Sequence, residues 1–467
     1  MLNLLRTLLA LTSAATLTAA TPAPDWRALE PEILDYYLAL LRIDTSNPPG
    51  NETRAVEYLK PILDKAGIPY QVFALEPGRA NLVARIKGNG RKRPIILMGH
   101  TDVVGTQRDK WPLDPFAAIR KDGFVWARGA SDDKPHVVAS LITMLLLQRN
   151  HVPLDRDVIF IAEAGEEGTS TVGIDFLVDQ HWPAIDAEYA LAEGGNTAAR
   201  DGKVRYVEIT TTEKAPRTTR LVAHGTAGHG SRPRQDNPII HLAAAVAKFQ
   251  TWQPPMRLND TTRTYFERLA TISSPAEAQR YNHVADKAQT AAIQQYLAEH
   301  EPAHFSILRT SVVPTILKAG FRSNVIPSEA EATLDIRALP DEDMPKLYAE
   351  IRKQIADPLV EVVPGPRDAR PFGKPSPLDS DLFHALENTQ RKMYPGAITI
   401  PGMLTGATDM AQLRAKGVKA YGFGPVVEES EFELHGAHSD QERMRETSVY
   451  GLTHYLWETV LQIAASK

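Results

Sequence analysis

Short apolar runs separated by helical patterns constrain the fold of this sequence more than any other feature. The clearest runs lie at residues 94–98, 157–162 and 189–192, and the strongest intervening helical pattern lies at residues 137–147. Strands without polar alternation are typical of a sheet that helices cover on both faces. We therefore predict an α/β fold with a mostly parallel sheet flanked by helices.

A different pattern begins near residue 213 and predicts an inserted α+β domain. Apolar and polar residues alternate there as in one-sided strands, at residues 217–224, 311–318 and 329–337. Helical patterns lie at residues 238–250 and 343–355, and we expect the charged helical stretch 258–300 to elaborate the same domain. The predicted division is 1–23 signal peptide, 24–212 first part of the catalytic domain, 213–370 inserted lid or dimerisation domain, and 371–467 second part of the catalytic domain.

The first residues predict export of the protein. One basic residue, Arg6, precedes an apolar run of small residues at 7–20, which resembles a cleaved signal peptide. An uncleaved membrane anchor is the alternative, although no later segment predicts stable membrane insertion. We expect a periplasmic or secreted protein.

Composition limits the partners and the metal ligands. The formal net charge of -5 over 467 residues gives no reason to expect nucleic acid as a partner. Because the sequence contains no cysteine, histidine and carboxylate side chains must supply any metal ligands.

Carboxylates and histidines follow the ends of successive predicted strands. These residues are His100, Asp132 with Asp133, Glu166 with Glu167, and Glu193, with His438 in a C-terminal loop. Strand ends of a parallel sheet meet at one crevice, where clustered carboxylates need cations to neutralise them. Oxygen and imidazole ligands suit zinc, with cobalt or manganese as alternatives.

The order of six motifs resembles that of the M20 family of metallopeptidases, with features of its aminoacylase, carboxypeptidase and carnosinase members. The motifs are MGHTD at 98–102, GASDDK at 129–134, GEEG at 165–168, EGG at 193–195, GHGSRP at 228–233 and HSDQE at 438–442. The resemblance implies a site for two divalent metal ions. Asp132 would bridge the two ions, His100 and Glu193 would hold one, and Glu167 and His438 the other. The resemblance also implies a cis peptide bond between Asp132 and Asp133.

The resemblance also implies the roles of three catalytic residues. Glu166 would be the general base, and the carboxylate of Asp102 would accept the second N–H of the His100 imidazole. His229 would donate to the oxyanion of the reaction, often from the partner subunit of a dimer, and domain closure would bring it over the metals. A homodimer is therefore one expected assembly.

Three further positions match substrate-binding residues of the family. Asn324 and Arg337 would hold a substrate carboxylate, and Gly406 belongs to a small-residue loop, 405–409, beside the substrate. The alternatives are an ion pair that stabilises the inserted domain and an ordinary turn. Pro135 departs from the glycine that relatives commonly have, and His435 is a rival for His438, although only His438 has the family's spacing to Glu442.

We expect a two-metal hydrolase of amide bonds that acts on a small peptide or N-acyl amino acid with a free carboxylate. Carboxypeptidase or N-acyl-amino-acid hydrolase activity is the first expectation, and a carnosinase-type dipeptidase is the alternative. The motifs at 165–168 and 438–442 look more like carnosinase-type members, whereas the loop at 228–233 looks more like aminoacylase and carboxypeptidase members. A non-enzymatic alternative is a catalytically silent peptide-binding protein on the same fold.

Overall fold

The computed structural model describes residues 23–365 and 370–466. Residues 1–22 of the predicted signal peptide lie outside the described residues. The α-helices are α1 Trp26–Leu41, α2 Thr53–Ala66, α3 Lys134–Arg149, α4 Ile174–Gln180, α5 Trp182–Ile185, α6 Pro238–Ala247, α7 Asp260–Ala270, α8 Pro275–Asn282, α9 Thr290–His300, α10 Pro302–Ile307, α11 Met344–Ile355, α12 Asp381–Met393, α13 Met410–Ala415, α14 Phe432–His435 and α15 Glu446–Ala464. Among these described helices, none combines the length and apolar character that crossing a membrane requires.

Among the described residues the strands form one large sheet, one smaller sheet, a three-stranded sheet with the order β21-β7-β6, and two short pairs. They are β1 Ser46–Asn47, β2 Tyr70–Ala74, β3 Ala80–Ile86, β4 Ile95–His100, β5 Val103–Val104, β6 Ile119–Lys121, β7 Phe124–Trp126, β8 Val158–Glu163, β9 Tyr189–Ala192, β10 Thr197–Arg200, β11 Lys203–Glu213, β12 Ala215–His224, β13 Gly228–His229, β14 Ser311–Ala319, β15 Val325–Ile326, β16 Glu329–Ala338, β17 Val360–Pro364, β18 Ile398–Leu404, β19 Lys419–Gly422, β20 Val426–Glu428 and β21 Arg443–Arg445.

The large sheet has the strand order β2-β3-β8-β4-β9-β19-β11-β10-β20, and β18 pairs with β11. Its centre is parallel, because β8, β4, β9 and β19 all run the same way. Antiparallel pairs flank this centre, including β3 with β8 and β11 with β19. The predicted α/β class is confirmed, and the sheet is mixed, with the predicted parallel arrangement at its centre.

The apolar runs of the sequence are explained by helical layers on both faces of the large sheet. In β4, Ile95 and Leu97 join a core that also contains residues of α1, α3 and α15. The alternate residues Ile96 and Met98 join a second core with α4 and α13. Successive side chains of a strand point to opposite faces, so every position of such a strand has to be apolar.

The smaller sheet has the order β14-β16-β12-β17, and α6 and α11 pack against it. We call this part, from β12 to β17, the inserted unit. Along β16 buried residues alternate with more exposed ones, which is the alternation that the sequence carries. Strand β11 of the large sheet ends at Glu213, and β12 of the smaller sheet begins at Ala215. The domain boundaries given above stay a prediction.

Helices α7 to α10, which we call the helical insertion, were expected to elaborate the inserted domain. Their core instead includes Ile400 and Met403 of β18 together with Phe266 and Leu297 of the insertion. The Arg268 guanidinium donates to the backbone carbonyl of Thr399, also in β18. The insertion therefore packs largely on the edge of the large sheet, because β18 presents apolar side chains there that need a cover.

Candidate metal centre

The parallel strands bring the predicted ligands to one edge of the large sheet. His100 is the last residue of β4, Glu166 and Glu167 follow β8, and Glu193 follows β9. Because these three strands are parallel neighbours, their carboxyl ends open into the same crevice. The topology of the sheet therefore positions residues that are far apart in the sequence.

Asp132 lies at the centre of the cluster, in the turn between β7 and α3. One of its carboxylate oxygens, Oδ1, lies 2.8 Å from Nε2 of His100. The other, Oδ2, lies 3.3 Å from Nε2 of His438. The Asp132–Asp133 peptide bond is cis, as the resemblance implied. Each oxygen of one carboxylate thus faces a different imidazole, which is the arrangement that a bridging ligand requires.

The remaining two predicted ligands lie on either side of Asp132. Oε1 of Glu167 is 3.1 Å from Nε2 of His438, and Oε1 of Glu193 is 3.9 Å from Nε2 of His100. Asp133 also has ligand atoms within 4.8 Å of His100 and Glu193. Its carboxylate makes a short contact with Nδ1 of His136, and its Oδ2 has no hydrogen-bond partner among the described residues. The structure brings all five predicted ligands together and adds Asp133 to their surroundings.

The electrostatics of the cluster fit divalent cations. Burial raises the pKa of Glu193 well above its usual value, and the carboxylates of Asp132 and Asp133 raise it further. Burial lowers the pKa of His100, but its contacts with Asp102 and Asp132 outweigh burial, so that the pKa lies well above 6.5. Buried carboxylates that repel one another are relieved by a cation, and two imidazoles with three carboxylates form a set that zinc and similar ions accept. The residues present therefore fit a pair of divalent ions.

The loop that carries Asp132 is held by Glu442 of the C-terminal motif. Glu442 is fully buried, and its Oε1 accepts hydrogen bonds from the backbone N–H of Ser131 at 2.7 Å and the Ser131 hydroxyl at 2.8 Å. Its Oε2 accepts from the Arg128 guanidinium at 2.7 Å. His438 belongs to the same motif, so one segment supplies a candidate ligand and fixes the loop of another. The rival His435 instead contacts the backbone carbonyl of Gln441, and Pro135 fits the first turn of α3, where proline is tolerated.

Asp102 connects His100 to the loop after β8. Nδ1 of His100 lies 3.0 Å from the backbone carbonyl of Asp102 and 3.5 Å from its carboxylate. The shorter contact differs from our expectation that the carboxylate would accept the imidazole N–H. The carboxylate accepts instead from the backbone N–H groups of Glu166 at 3.2 Å and Glu167 at 3.1 Å. Asp102 thus orients both glutamates as well as the histidine.

The predicted base Glu166 makes an ion pair that the sequence did not reveal. Nη2 of Arg370 donates to Oε1 of Glu166 at 2.6 Å and to its backbone carbonyl at 3.0 Å. Nη1 of Arg370 donates to Asp409 at 2.8 Å. Burial raises the pKa of Glu166 to about 8, although the Arg370 charge opposes the shift. Arg370 lies in the connection from the inserted unit to the large sheet. The sequence pattern shows several basic residues in this stretch but does not indicate which of them contacts the site.

A cavity of about 690 Å³ opens above the cluster, and we call it the catalytic cavity. Arg337 and Gly406 line it together with Asp132, Glu166 and Glu193. The guanidinium of Arg337 donates to Asp335 on the same strand at 2.9 Å, which is the ion pair considered as the alternative to substrate binding. Two of the three predicted substrate-binding positions, Arg337 and Gly406, therefore face the space above the metal ligands.

His229 and Asn324 lie together but away from the metal ligands. The short strands β13 and β15 pair antiparallel, with His229 opposite Val325, and Gly230 N–H donates to the Asn324 carbonyl at 2.8 Å. Both side chains are exposed, and neither lines the catalytic cavity. The chain by itself does not bring these two predicted residues to the cluster.

Comparisons with known proteins agree with this architecture. The profile described as "Peptidase family M20/M25/M40" matches residues 96–462. The N-fatty-acyl-amino acid synthase/hydrolase PM20D1 of Xenopus tropicalis is 30% identical over 373 residues, which are 78% of this chain and 71% of that protein.

Two solved structures have the same fold. The M20 family metallo-carboxypeptidase Sso-CP2 of Sulfolobus solfataricus has a TM-score of 0.68 and 19% identity, covering 92% of this chain and 98% of that chain. The YXEP protein of Bacillus subtilis, described as a dinuclear metal binding peptidase, has a TM-score of 0.61 and 14% identity, covering 94% and 99% of the two chains.

Proposed function

Because this chain belongs to peptidase family M20/M25/M40, we propose that it hydrolyses the amide bond of small substrates with a free carboxylate, as a carboxypeptidase or N-acyl-amino-acid hydrolase. The observation that carries the proposal is the position of Asp132, whose two oxygens face the separate imidazoles of His100 and His438. The name of the Xenopus relative, an N-fatty-acyl-amino acid hydrolase, supports an acylated amino acid as substrate.

Two divalent ions, zinc by proposal and cobalt or manganese as alternatives, would occupy the cluster. His100 and Glu193 would hold one ion, Glu167 and His438 the other, and Asp132 both. When bound, such ions polarise an amide carbonyl and lower the pKa of water. The convergence of these carboxylates and imidazoles supports this proposal, since an oxygen and nitrogen set without thiolates suits these metals.

Glu166 would transfer the protons of the reaction. Its carboxylate lines the catalytic cavity, where it would take a proton from the attacking water and then deliver one to the leaving amine. Arg370 would hold that carboxylate in position through the 2.6 Å ion pair. Asp102 would fix the Glu166 backbone from the opposite side.

The substrate carboxylate would bind on the side of the inserted unit. Arg337 lines the cavity there, and the loop with Gly406 lies at the cavity wall. A guanidinium binds a carboxylate through two parallel hydrogen bonds, so Arg337 would exchange its contact with Asp335 for the substrate. His229 and Asn324 would join from a partner subunit or after closure of the inserted unit.

A carnosinase-type dipeptidase is the second candidate, because acidic residues also line the catalytic cavity. Glu428 and Glu431 are part of its wall. Glu431 is paired with Arg443 at 2.5 Å, whereas Glu428 accepts a single backbone hydrogen bond from Gly202 among the described residues. The Glu428 carboxylate would suit a free α-amino group, which a dipeptide has and an acylated amino acid lacks.

We also propose that the protein forms a homodimer. Strand β14 is an edge of the smaller sheet and exposes the apolar side chains of Val313, Ile316 and Leu317. An exposed apolar edge strand favours pairing with another chain, here a second copy.

The signal-like residues 1–23 support our proposal of a periplasmic or secreted location.

The test uses the purified protein supplied in turn with zinc, cobalt or manganese, and a panel of N-acyl amino acids and dipeptides. We expect hydrolysis by the wild type and a loss of about 10²–10⁴-fold in kcat for Glu166→Gln, which keeps the size of the side chain but removes the base. A requirement for a free α-amino group would select the dipeptidase. Metal binding without hydrolysis of any amide would instead support a silent binding protein.

A further inference from the structure

A second cavity of about 600 Å³ lies beside the catalytic cavity, and the proposed chemistry does not use it. Both cavities share walls formed by five residues: Gly194, Asn196, Leu404, Val427 and Phe432. Gly194 follows the candidate ligand Glu193 directly in the sequence. The two cavities are therefore neighbours that adjoin along these five residues.

The far wall of the second cavity comes from the helical insertion. Tyr265 of α7 and Ala303, His304 and Ile307 of α10 line it. The insertion packs on β18, whose Met403 lines the same cavity. At the entrance, Phe432 and Leu434 of α14 are 51% and 63% exposed, an unusual position for large apolar side chains.

Most of the side chains that line the second cavity are apolar, and Asn196, Thr405 and Ser430 add uncharged polar groups. Its apolar side chains are Tyr206, Tyr265, Ile307, Met403, Leu404, Val427, Phe432 and Leu434. Two of the polar residues already have partners within the protein. His304 contacts the Tyr265 hydroxyl at 3.0 Å and Glu301 at 2.6 Å, and Glu429 pairs with Arg200 at 2.5 Å and Arg205 at 3.3 Å.

Glu208 differs from His304 and Glu429, because its carboxylate forms no ion pair among the described residues. The carboxylate lies over Gly402, where a Cβ atom would come within 2.1 Å of Oε1. Glu208 lines the second cavity but not the catalytic cavity, so it lies outside the walls that the two cavities share.

We propose that the second cavity binds a long apolar arm of the substrate, an alkyl chain attached to the acyl carbon, and that the helical insertion sets the chain length accepted. The inference rests on the proposed amide hydrolysis for its kinetic test, although not for its binding test. Each methylene group buried in such a cavity strengthens binding by about fourfold, so a long chain should bind much more tightly than a short one.

The test fills the cavity at Ala303, an exposed position that lines it without belonging to the packed core. Ala303→Phe is compared with the matched control Ala303→Ser on N-acetyl, N-octanoyl and N-dodecanoyl amino acids. We expect the wild type to prefer the longest chain. The phenylalanine variant should lose roughly tenfold or more in kcat/KM for the dodecanoyl substrate, with the acetyl substrate changed by less than about twofold.

Binding of dodecanoate to the metal-loaded protein, measured by calorimetry, gives a readout independent of catalysis. We expect Ala303→Phe to weaken it by roughly tenfold and Ala303→Ser to leave it unchanged. Dodecanoate binding with this sensitivity but no amide hydrolysis would support the cavity and refute the proposed function. Hydrolysis of N-acetyl substrates with no chain-length preference and no effect of Ala303→Phe would refute the cavity alone.

The Glu208 carboxylate, which forms no ion pair among the described residues, suggests a competing ligand for the second cavity. If the cavity held a cationic arm, substrates with a terminal ammonium would be preferred and Glu208→Gln would abolish that preference. We expect instead that Glu208→Gln retains the preference for dodecanoyl substrates. Preference for the ammonium-bearing chain would overturn the inference.

Discussion

The metal cluster and the loop that carries His229 differ in what the single chain completes. Five candidate ligands from five separate segments converge around Asp132, with contacts of 2.8 to 3.9 Å. His229 and Asn324 in contrast are exposed on the inserted unit and contact none of them. Three of the five ligands follow strands of the large sheet, whereas His229 and Asn324 depend on the placement of the inserted unit.

This difference shows which groups of the site a single chain can position by itself. Strand ends of a parallel sheet are fixed by the hydrogen-bond register, so ligands on them are positioned as soon as the sheet forms. A residue on a separate unit is positioned by closure or by assembly. The predictions below test the two regions in turn.

Replacement of Asp132 by alanine should have the largest effect. The variant removes both oxygens that face His100 and His438, so that neither half of the cluster retains its shared ligand. We expect loss of bound metal and a fall of about 10³-fold or more in kcat/KM, since metal ions supply several kcal/mol of transition-state stabilisation. Metal content by elemental analysis and steady-state kinetics are the measurements. Asp179→Ala, an exposed acid on α4, is the control and should change neither.

If His229 donates to the developing oxyanion as proposed, His229→Ala should lower kcat by about 10²–10³-fold. Metal content should stay normal, since His229 lies away from the cluster. Mixing this variant with Glu166→Gln under conditions of subunit exchange separates assembly from closure. If His229 acts across a dimer, a mixed dimer has one intact site and random mixing restores about a quarter of the wild-type activity. No recovery would place His229 in its own subunit's site.

The sequence allowed the parallel centre, the alternating inserted unit and the convergence of the ligands to be predicted, because each depends on local periodicity or on strand ends. The packing of the helical insertion on β18 was not predicted, since amphipathic helices do not specify which apolar surface they cover. Arg370 was also missed. Its contacts with Glu166 and Asp409 depend on how the connection folds back, and nothing local distinguishes it from Lys374 in the same stretch.

Arg370 joins the two compared regions, because it lies on the connection from the inserted unit and contacts the predicted base. We expect Arg370→Ala to lower kcat by about 10–100-fold with little change in KM, since a misplaced base affects the transition state more than substrate binding. Arg370→Lys should recover part of the loss through its single charge, and metal content should stay unchanged in both variants. An equal loss in both variants together with lost metal would indicate a structural role instead.

The smallest effect concerns Glu208, a partly buried acid that forms no ion pair among the described residues. Burial raises the pKa of Glu208 to about 7. The folded protein therefore binds a proton more tightly than the unfolded chain, whose glutamates titrate near 4.3, and the free energy of unfolding falls as pH rises between these values. Glu208→Gln removes this penalty. It should raise the free energy of unfolding by about 1–3 kcal/mol near pH 8 and by less than about 1 kcal/mol near pH 5.

Urea denaturation of the metal-loaded protein at the two pH values measures this difference, and the contributions of all other groups cancel in the comparison of variant and wild type. Glu267→Gln, an exposed glutamate on α7, is the matched control and should give the same stability change at both pH values. A stabilisation by Glu208→Gln that is equal at both pH values would mean that the Glu208 carboxylate is already relieved in the folded protein. The distinction between the carboxylates of the cluster and an isolated acid beside the second cavity would then fail.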